Sequence, residues 1–154
     1  GCLANNPFGI RKIIELKKRD ISKGFILLAS DIGYLLPYID SQISKDLLEQ
    51  LSLPTKSPTT FLVPKSEELP PLLAGGNELL AVRITSNPLI KFFCEETESA
   101  LISTSANLQG KKAASTQREL KSYFGNQLDY VLPPSGYNSE PSKIINLMTG
   151  ERLR

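Results

Sequence analysis

The sequence predicts an α/β (α+β) domain built on a mixed sheet with flanking helices. Short apolar runs rich in β-branched and aromatic residues alternate with segments that carry helix caps and helical apolar spacing. The chain of 154 residues contains no internal repeat and no low-complexity tract, which suits one domain over 1–154. An apolar fraction of 40% and a charged fraction of 22% are ordinary for a folded chain that buries its core without disulfides or metals.

Each element has a local reason. Asn6 before Pro7 reads as an N-cap with proline at the first helical position. Ile10, Ile13, Ile14 and Leu16 then give one apolar face, and Lys17, Lys18 and Arg19 fall in that helix's last turn, with Lys17 and Arg19 outside the apolar stripe. "FILLAS" (25–30) is a buried strand. "DIGYLLPYI" and "SKDLLEQL" are short helices, the first broken by Pro37 and the second closed by Pro54. "TTFLV" (59–63) and "LLAVRIT" (79–85) are strands, separated by the loop "EELPPLLAGGNE" with its Gly-Gly turn. Pro88 opens the helix "PLIKFFCEET", and "ALIST" (100–104) is the next strand. Thr116 and Glu119 form a capping box ahead of a helix reaching Phe124. "DYVLP" and "KIINLM" are the last strands. The loop between them, 133–142, is rich in Pro, Ser and Gly and reads as a lid.

Composition removes whole classes of chemistry. The chain has no histidine, so His-based zinc sites, Ser-His triads and the usual neutral-pH general base are excluded. Cys2 and Cys94 lie far apart without a CxxC, which makes a reducing, cytoplasmic compartment the default. A net charge of +2 spread along the chain is no polybasic arm. No apolar run approaches membrane-spanning length, so no membrane partner is expected. Walker A and GxGxxG motifs are both absent, as is any metal-ligand cluster.

Four polar constellations remain, each with a bland reading beside the functional one. Lys17-Lys18-Arg19 with Lys23-Gly24 is a solvated helix end, where cations suit the negative end of the dipole, or an anion clamp at a helix-to-strand junction. "LISTSANLQG" (101–110) is a self-bonded loop, or a strand-end site whose hydroxyls and amide donate to oxyanions without adding charge. Arg83 sits in an otherwise apolar strand, where burial demands an ion pair or a ligand. Ser142, just before a strand, makes a turn or donates to a phosphate.

Taken together and in this order, "ELKKRDISKG", "TTFLVP", "LAVRITSNPL", "LISTSANLQG" and "PSKIINLMTGERLR" resemble the YrdC/TsaC family, the threonylcarbamoyl-AMP synthases, along the whole chain. The closing "TGERLR" is similar to the bacterial TsaC branch. The resemblance implies a YrdC/RibB-like twisted mixed sheet with a concave basic groove. It implies that ATP (with Mg2+), bicarbonate and L-threonine are converted to threonylcarbamoyl-AMP and pyrophosphate. A separate transferase complex would then pass the threonylcarbamoyl group to tRNA. The family's K-x-R and S-x-N tetrad falls on Lys17, Arg19, Ser105 and Asn107. Lys23, Thr60, Arg83, Ser103 and Ser142 match other polar positions lining the family's groove.

The sequence also departs from the family. Asp20 stands where proline usually follows K-x-R, and "LPTKSPTT" replaces a "WPGPVT"-like stretch. The family carries a strand, a helix and a PTET-like motif ahead of the position where this chain begins, so Gly1-Cys2 is expected to be the end of that motif. The alternative functions are a non-catalytic RNA (tRNA or rRNA) binding module using the same groove, and the carbamoyl-AMP-handling domain of larger hydrogenase-maturation proteins.

Overall fold

The computed structural model describes residues 1–132 and 141–154. Helix α1, Pro7–Lys17, starts where the sequence predicts: the Asn6 side chain accepts from Gly9 N–H, and Pro7 fills the first position. After β1 (Ile26–Ala29) come α2 (Lys45–Ser52), β2 (Thr59–Pro64), the single turn α3 (Pro71–Ala74) and β3 (Leu79–Ile84). Helix α4 (Pro88–Thr97), β4 (Leu101–Ser103), α5 (Gln117–Phe124) and β5 (Lys143–Asn146) complete the order. The Thr116–Glu119 capping box forms in full, with both reciprocal bonds present.

The five strands lie in the order β4-β1-β3-β2-β5. β1 runs parallel to β3 and β2 parallel to β5, while β1–β4 and β2–β3 are antiparallel, so the sheet is mixed. Its two faces differ. Leu27, Ala29, Val63, Leu80, Val82 and Ile102 are wholly or almost wholly buried and join Ile10, Ile13 and Cys94 of the helices in one core. The alternate residues form the other face: Ile26 opposes both Ala81 and Ser103, and Ala81 opposes Leu62. These are only partly buried and floor an open cleft. A period-2 alternation with one face packed is what a one-sided mixed sheet demands.

Three expectations change. "DIGYLLPYI" forms two single 3-10 turns, Ile32–Tyr34 and Leu36–Tyr38, instead of a helix. Pro37 lacks an N–H, and Asp31 spends its carboxylate on Gly33 N–H. The loop after β2 contains the turn α3, opened by Pro71 and stopped by Gly75. Residues 129–132 of "DYVLP" pair with no strand: Tyr130, Val131 and Leu132 are exposed, and β propensity without a partner makes no strand. In the 133–142 loop expected to be a lid, residues 133–140 lie outside the described residues.

Two glycines weld the first site segment to α3. Gly24 and Gly75 have φ of +57° and +61°, and a Cβ on Gly24 would sit 2.5 Å from Ala74 O. A Cβ on Gly75 would collide with Ser22 O and Gly24 N. Phe25 N–H donates to Leu73 O at 2.7 Å, and Gly76 N–H to Ser22 O at 3.0 Å. Gly75→Ala is expected to cost about 3 kcal/mol or more, from backbone strain plus overlap. Urea unfolding measures this, and an unchanged midpoint would show that the contact is not made.

Candidate active site

α1 ends in a way that separates its last cations. Lys18 is left-handed (φ 50°), its N–H bonding Glu15 O, and Arg19 N–H returns to Ile14 O at 2.9 Å. The αL residue turns the chain sharply at the price of about 1 kcal/mol for a non-glycine. Lys17, by contrast, belongs to the buried stripe with Ile10 and Ile13, at the i, i+3, i+7 spacing, and is only 5% exposed. The expectation that it stands clear of the apolar face is therefore corrected.

The Lys17 ammonium donates to Ser105 O, to Asn107 O at 2.6 Å and to Asn107 Oδ1 at 3.2 Å. All three N–H bonds of the ammonium are thereby matched. Ser105 Oγ donates to Asn107 Oδ1 at 2.7 Å, and Asn107 Nδ2 donates to Lys111 O at 2.6 Å. The tetrad's lysine thus holds the S-x-N loop from beneath, while the exposed Ser105 hydroxyl stays at the surface. Gln109, unremarked in the sequence, ties the same loop to the same segment. Its N–H donates to Lys17 O at 3.0 Å, and its Oε1 accepts from Asp20 N–H at 2.6 Å. Burial pulls the Lys17 pKa down to about 8, with the neighbouring Arg19 charge adding to the effect.

Arg19 is fixed by its own loop. Nε and Nη2 donate to Gly24 O at 3.2 and 2.7 Å, and the guanidinium lies 4.9 Å over the Phe25 ring. Asp20 makes no ion pair with it. The Asp20 carboxylate caps the following turn through Ser22 N–H and Ser22 Oγ, at 2.9 and 2.8 Å. Those two hydrogen bonds hold it below the usual carboxylate range.

Arg19 lines one wall of the cleft, whose volume is about 900 Å³. Lys23, Arg83, Ser103, Ser142 and Arg154 line it too, and Glu78 is the one carboxylate among the described lining residues. Among the described residues the ion pairs are Lys12–Asp129 and Lys91–Glu95, so Arg19, Lys23 and Arg83 have no carboxylate partner there. The open alternative for Arg83, a structural ion pair, finds no support. Ser105 lies where the cleft meets two smaller cavities.

Thr60 differs from its expected place. It has no exposure and does not line the cleft; its hydroxyl lies 2.8 Å from that of Ser142, which does. The cleft thus joins Arg19, Lys23, Arg83, Ser103, Ser105 and Ser142. Lys17 and Asn107 brace its edge, and Thr60 lies beneath. Arg154 was not anticipated, because nothing in "TGERLR" distinguishes a cleft arginine from a surface one.

The Sua5/YciO/YrdC family model, described as telomere recombination, matches residues 1–154. The chain belongs to this family. It is 41% identical over 159 residues to the threonylcarbamoyl-AMP synthase of Nitrosococcus oceani, covering 100% of this chain and 83% of that protein. The Pseudoalteromonas atlantica protein of the same name is 37% identical over 155 residues, again covering 100% and 83%. Among solved structures, Sua5 of P. abyssi in complex with L-threonine superposes with a TM-score of 0.80 at 22% identity. That match covers 97% of this chain but 44% of the longer protein. E. coli YciO superposes with a TM-score of 0.72, also at 22% identity, over 95% of this chain and 71% of that one. At such identities the two structures establish the shared fold: a mixed five-stranded sheet with flanking helices. Among the described residues no helix is long and apolar enough to cross a membrane.

Proposed function

We propose that this chain synthesises threonylcarbamoyl-AMP from L-threonine, bicarbonate and ATP, releasing pyrophosphate. One observation carries the reading: three cations without a carboxylate partner among the described residues, Arg19, Lys23 and Arg83, converge on one cleft beside the Ser103–Asn107 loop. The whole-chain likeness to proteins named threonylcarbamoyl-AMP synthase supports it. The cleft, at about 900 Å³, lies within the range of roughly 300–1,000 Å³ usual for small-molecule sites.

The chemistry suits a site without histidine. Threonine's amine adds to bicarbonate and water leaves, giving a carbamate. A carbamate oxygen attacks the α-phosphorus of ATP, and the bond to pyrophosphate breaks. Negative charge grows on the phosphoryl oxygens and on the leaving group, where fixed cations and hydroxyl donors stabilise it. In this reading Arg19, Lys23 and Arg83 face the phosphates, Ser103 and Ser142 donate to their oxygens, and Ser105 does so only by releasing its hydrogen bond to Asn107 Oδ1. Lys17 and Asn107 hold the loop that carries Ser105. Among the described residues no group of three or more His, Cys, Asp or Glu side chains is assembled for a metal. Magnesium would enter with the nucleotide, as MgATP, and would supply charge neutralisation to the phosphates.

The product is a mixed anhydride that a downstream tRNA threonylcarbamoyl transferase complex would consume, in the cytoplasm, where ATP and tRNA are found. Direct contact of tRNA or another RNA with the cleft cations would depend steeply on salt. The deciding experiment is pyrophosphate release from MgATP by this chain, with threonine and bicarbonate each omitted in turn. Release is expected only with both present. Release indifferent to threonine would overturn the reading, and salt-sensitive tRNA binding without any release would replace it by the RNA-binding module.

A further inference from the structure

Two segments meet where α1 ends: residues 19–25, which carry Arg19 and Lys23 into the cleft, and the loop 105–111, which carries Ser105. They are joined at two places. The first is Lys17. Its ammonium donates to Ser105 O, Asn107 O and Asn107 Oδ1, and its carbonyl accepts from Gln109 N–H. All of these bonds end on Lys17, before the left-handed turn at Lys18. The second lies beyond that turn, where Asp20 N–H donates to Gln109 Oε1 at 2.6 Å. Among the described residues it is the one hydrogen bond between residues 19–25 and the loop.

That bond has a requirement at each end. Residue 20 needs an N–H, and residue 109 needs a side-chain acceptor long enough to reach it. Proline, the usual residue after K-x-R in the family, has no N–H and could not make the bond. Backbone strain is not what keeps proline out here: Asp20 has φ of −62°, the value a proline ring imposes. The Asp20 carboxylate is engaged elsewhere, on Ser22 N–H and Ser22 Oγ. Gln109 is exposed, and it lines a cavity of about 110 Å³ together with Arg19, Lys23 and Ser105, at the junction that the bond spans.

We infer that Gln109 is a positioning residue: its side-chain carbonyl latches onto the Asp20 N–H and fixes the spacing of Arg19 and Lys23 from the Ser105 loop. Residues 19–25 are held from the other side by α3, through Phe25 N–H and Gly76 N–H. With the latch broken, the loop still hangs on Lys17, but its far end no longer registers with the segment that bears the cations. This rests on the reading above in which those cations face the phosphates of a nucleotide.

The test is a double-variant cycle on pyrophosphate release from MgATP, with Asp20→Ala as the reference at position 20 because alanine keeps the N–H. Gln109→Met is expected to lower kcat/KM for MgATP about fivefold against wild type, and Asp20→Pro about fivefold against Asp20→Ala, the scale of one neutral hydrogen bond. KM for L-threonine should hold in both, since the latched cations face the phosphates. Added to Asp20→Pro, Gln109→Met should cause no further loss. The Gln109 side chain is exposed and its N–H stays on Lys17 O after the change, so unchanged kcat/KM in Gln109→Met overturns the inference by itself, including the case in which only the melting temperature falls. An Asp20→Pro variant that matches Asp20→Ala overturns it too, as do losses that multiply in the double variant. If wild type binds MgATP in calorimetric titration but releases no pyrophosphate, the synthase reading alone fails, and the same cycle read as MgATP affinities, with the same expected ratios, decides the role of Gln109. No MgATP binding by wild type would overturn both.

Discussion

Lys17→Met should cost both stability and turnover, and the two losses have one cause. Methionine keeps the stem in the buried stripe with Ile10 and Ile13 but removes the ammonium. Ser105 O, Asn107 O and Asn107 Oδ1 then lose their shared donor. Leaving such acceptors unpaired costs about 1–3 kcal/mol. For a chain of this length that is a fall of roughly 2–12 °C in melting temperature. Pyrophosphate release should drop about a hundredfold, as expected when a preorganised donor loop is released.

The same residue gives a pH signature. Its pKa is about 8 in the folded chain and 10.5 ordinarily, so between those values the unfolded chain binds more protons. Stability from this group therefore rises with pH from about 8 to 10.5 and is lost as pH falls through about 8. Wild type should gain stability relative to Lys17→Met across that window. Its turnover should fall over the same range, because a neutral amine has two N–H bonds for three acceptors. Melting curves and initial rates from pH 7 to 10.5 check both slopes. Parallel melting curves for the two proteins would refute the buried ammonium.

Arg19→Ala should spare the fold and cripple the reaction. Gly24 O loses two hydrogen bonds, and Phe25 loses a cation over its ring, which together cost about 1–2 kcal/mol. The backbone of the 19–25 segment stays held by α3 through Phe25 N–H and Gly76 N–H. Turnover, however, loses a fixed charge at the cleft wall, worth roughly a hundred- to a thousandfold in kcat/KM. Arg19→Lys should recover little, since one ammonium cannot reproduce the fork on Gly24 O. Steady-state pyrophosphate release with circular dichroism as a control decides it. Near wild-type kcat/KM would remove Arg19 from the reactive site.

Much of this was legible in the sequence because it depends on neighbours within a turn or two. Asn6-Pro7, Pro88 and the Thr116–Glu119 box marked three helix starts, and at each a side chain bonds backbone N–H groups two to three residues on, the unread Asn87 serving at the second. The apolar runs of β1 and β3 were legible as strands, but not which side of each faces the core, since the alternation there is in burial and not in residue type. The resemblance to the family's K-x-R and S-x-N motifs singled out the segments that meet.

Tertiary structure alone decided what those residues do to one another. The order β4-β1-β3-β2-β5 is non-local, and only that register puts Ser103 and Arg83 on one face with Ile26 and Leu62. Lys17 joins the buried stripe against the sequence expectation, and the carbonyls that make its burial tolerable lie 88 and 90 residues away. Thr60 and Ser142 are 82 residues apart, and pairing of β2 with β5 joins them. Arg154 reaches the cleft because residues 151–154 fold back on β5. Local propensity reports which segments form. Where a buried charge finds its compensating oxygens is fixed by strand pairing between distant segments, which no local pattern encodes.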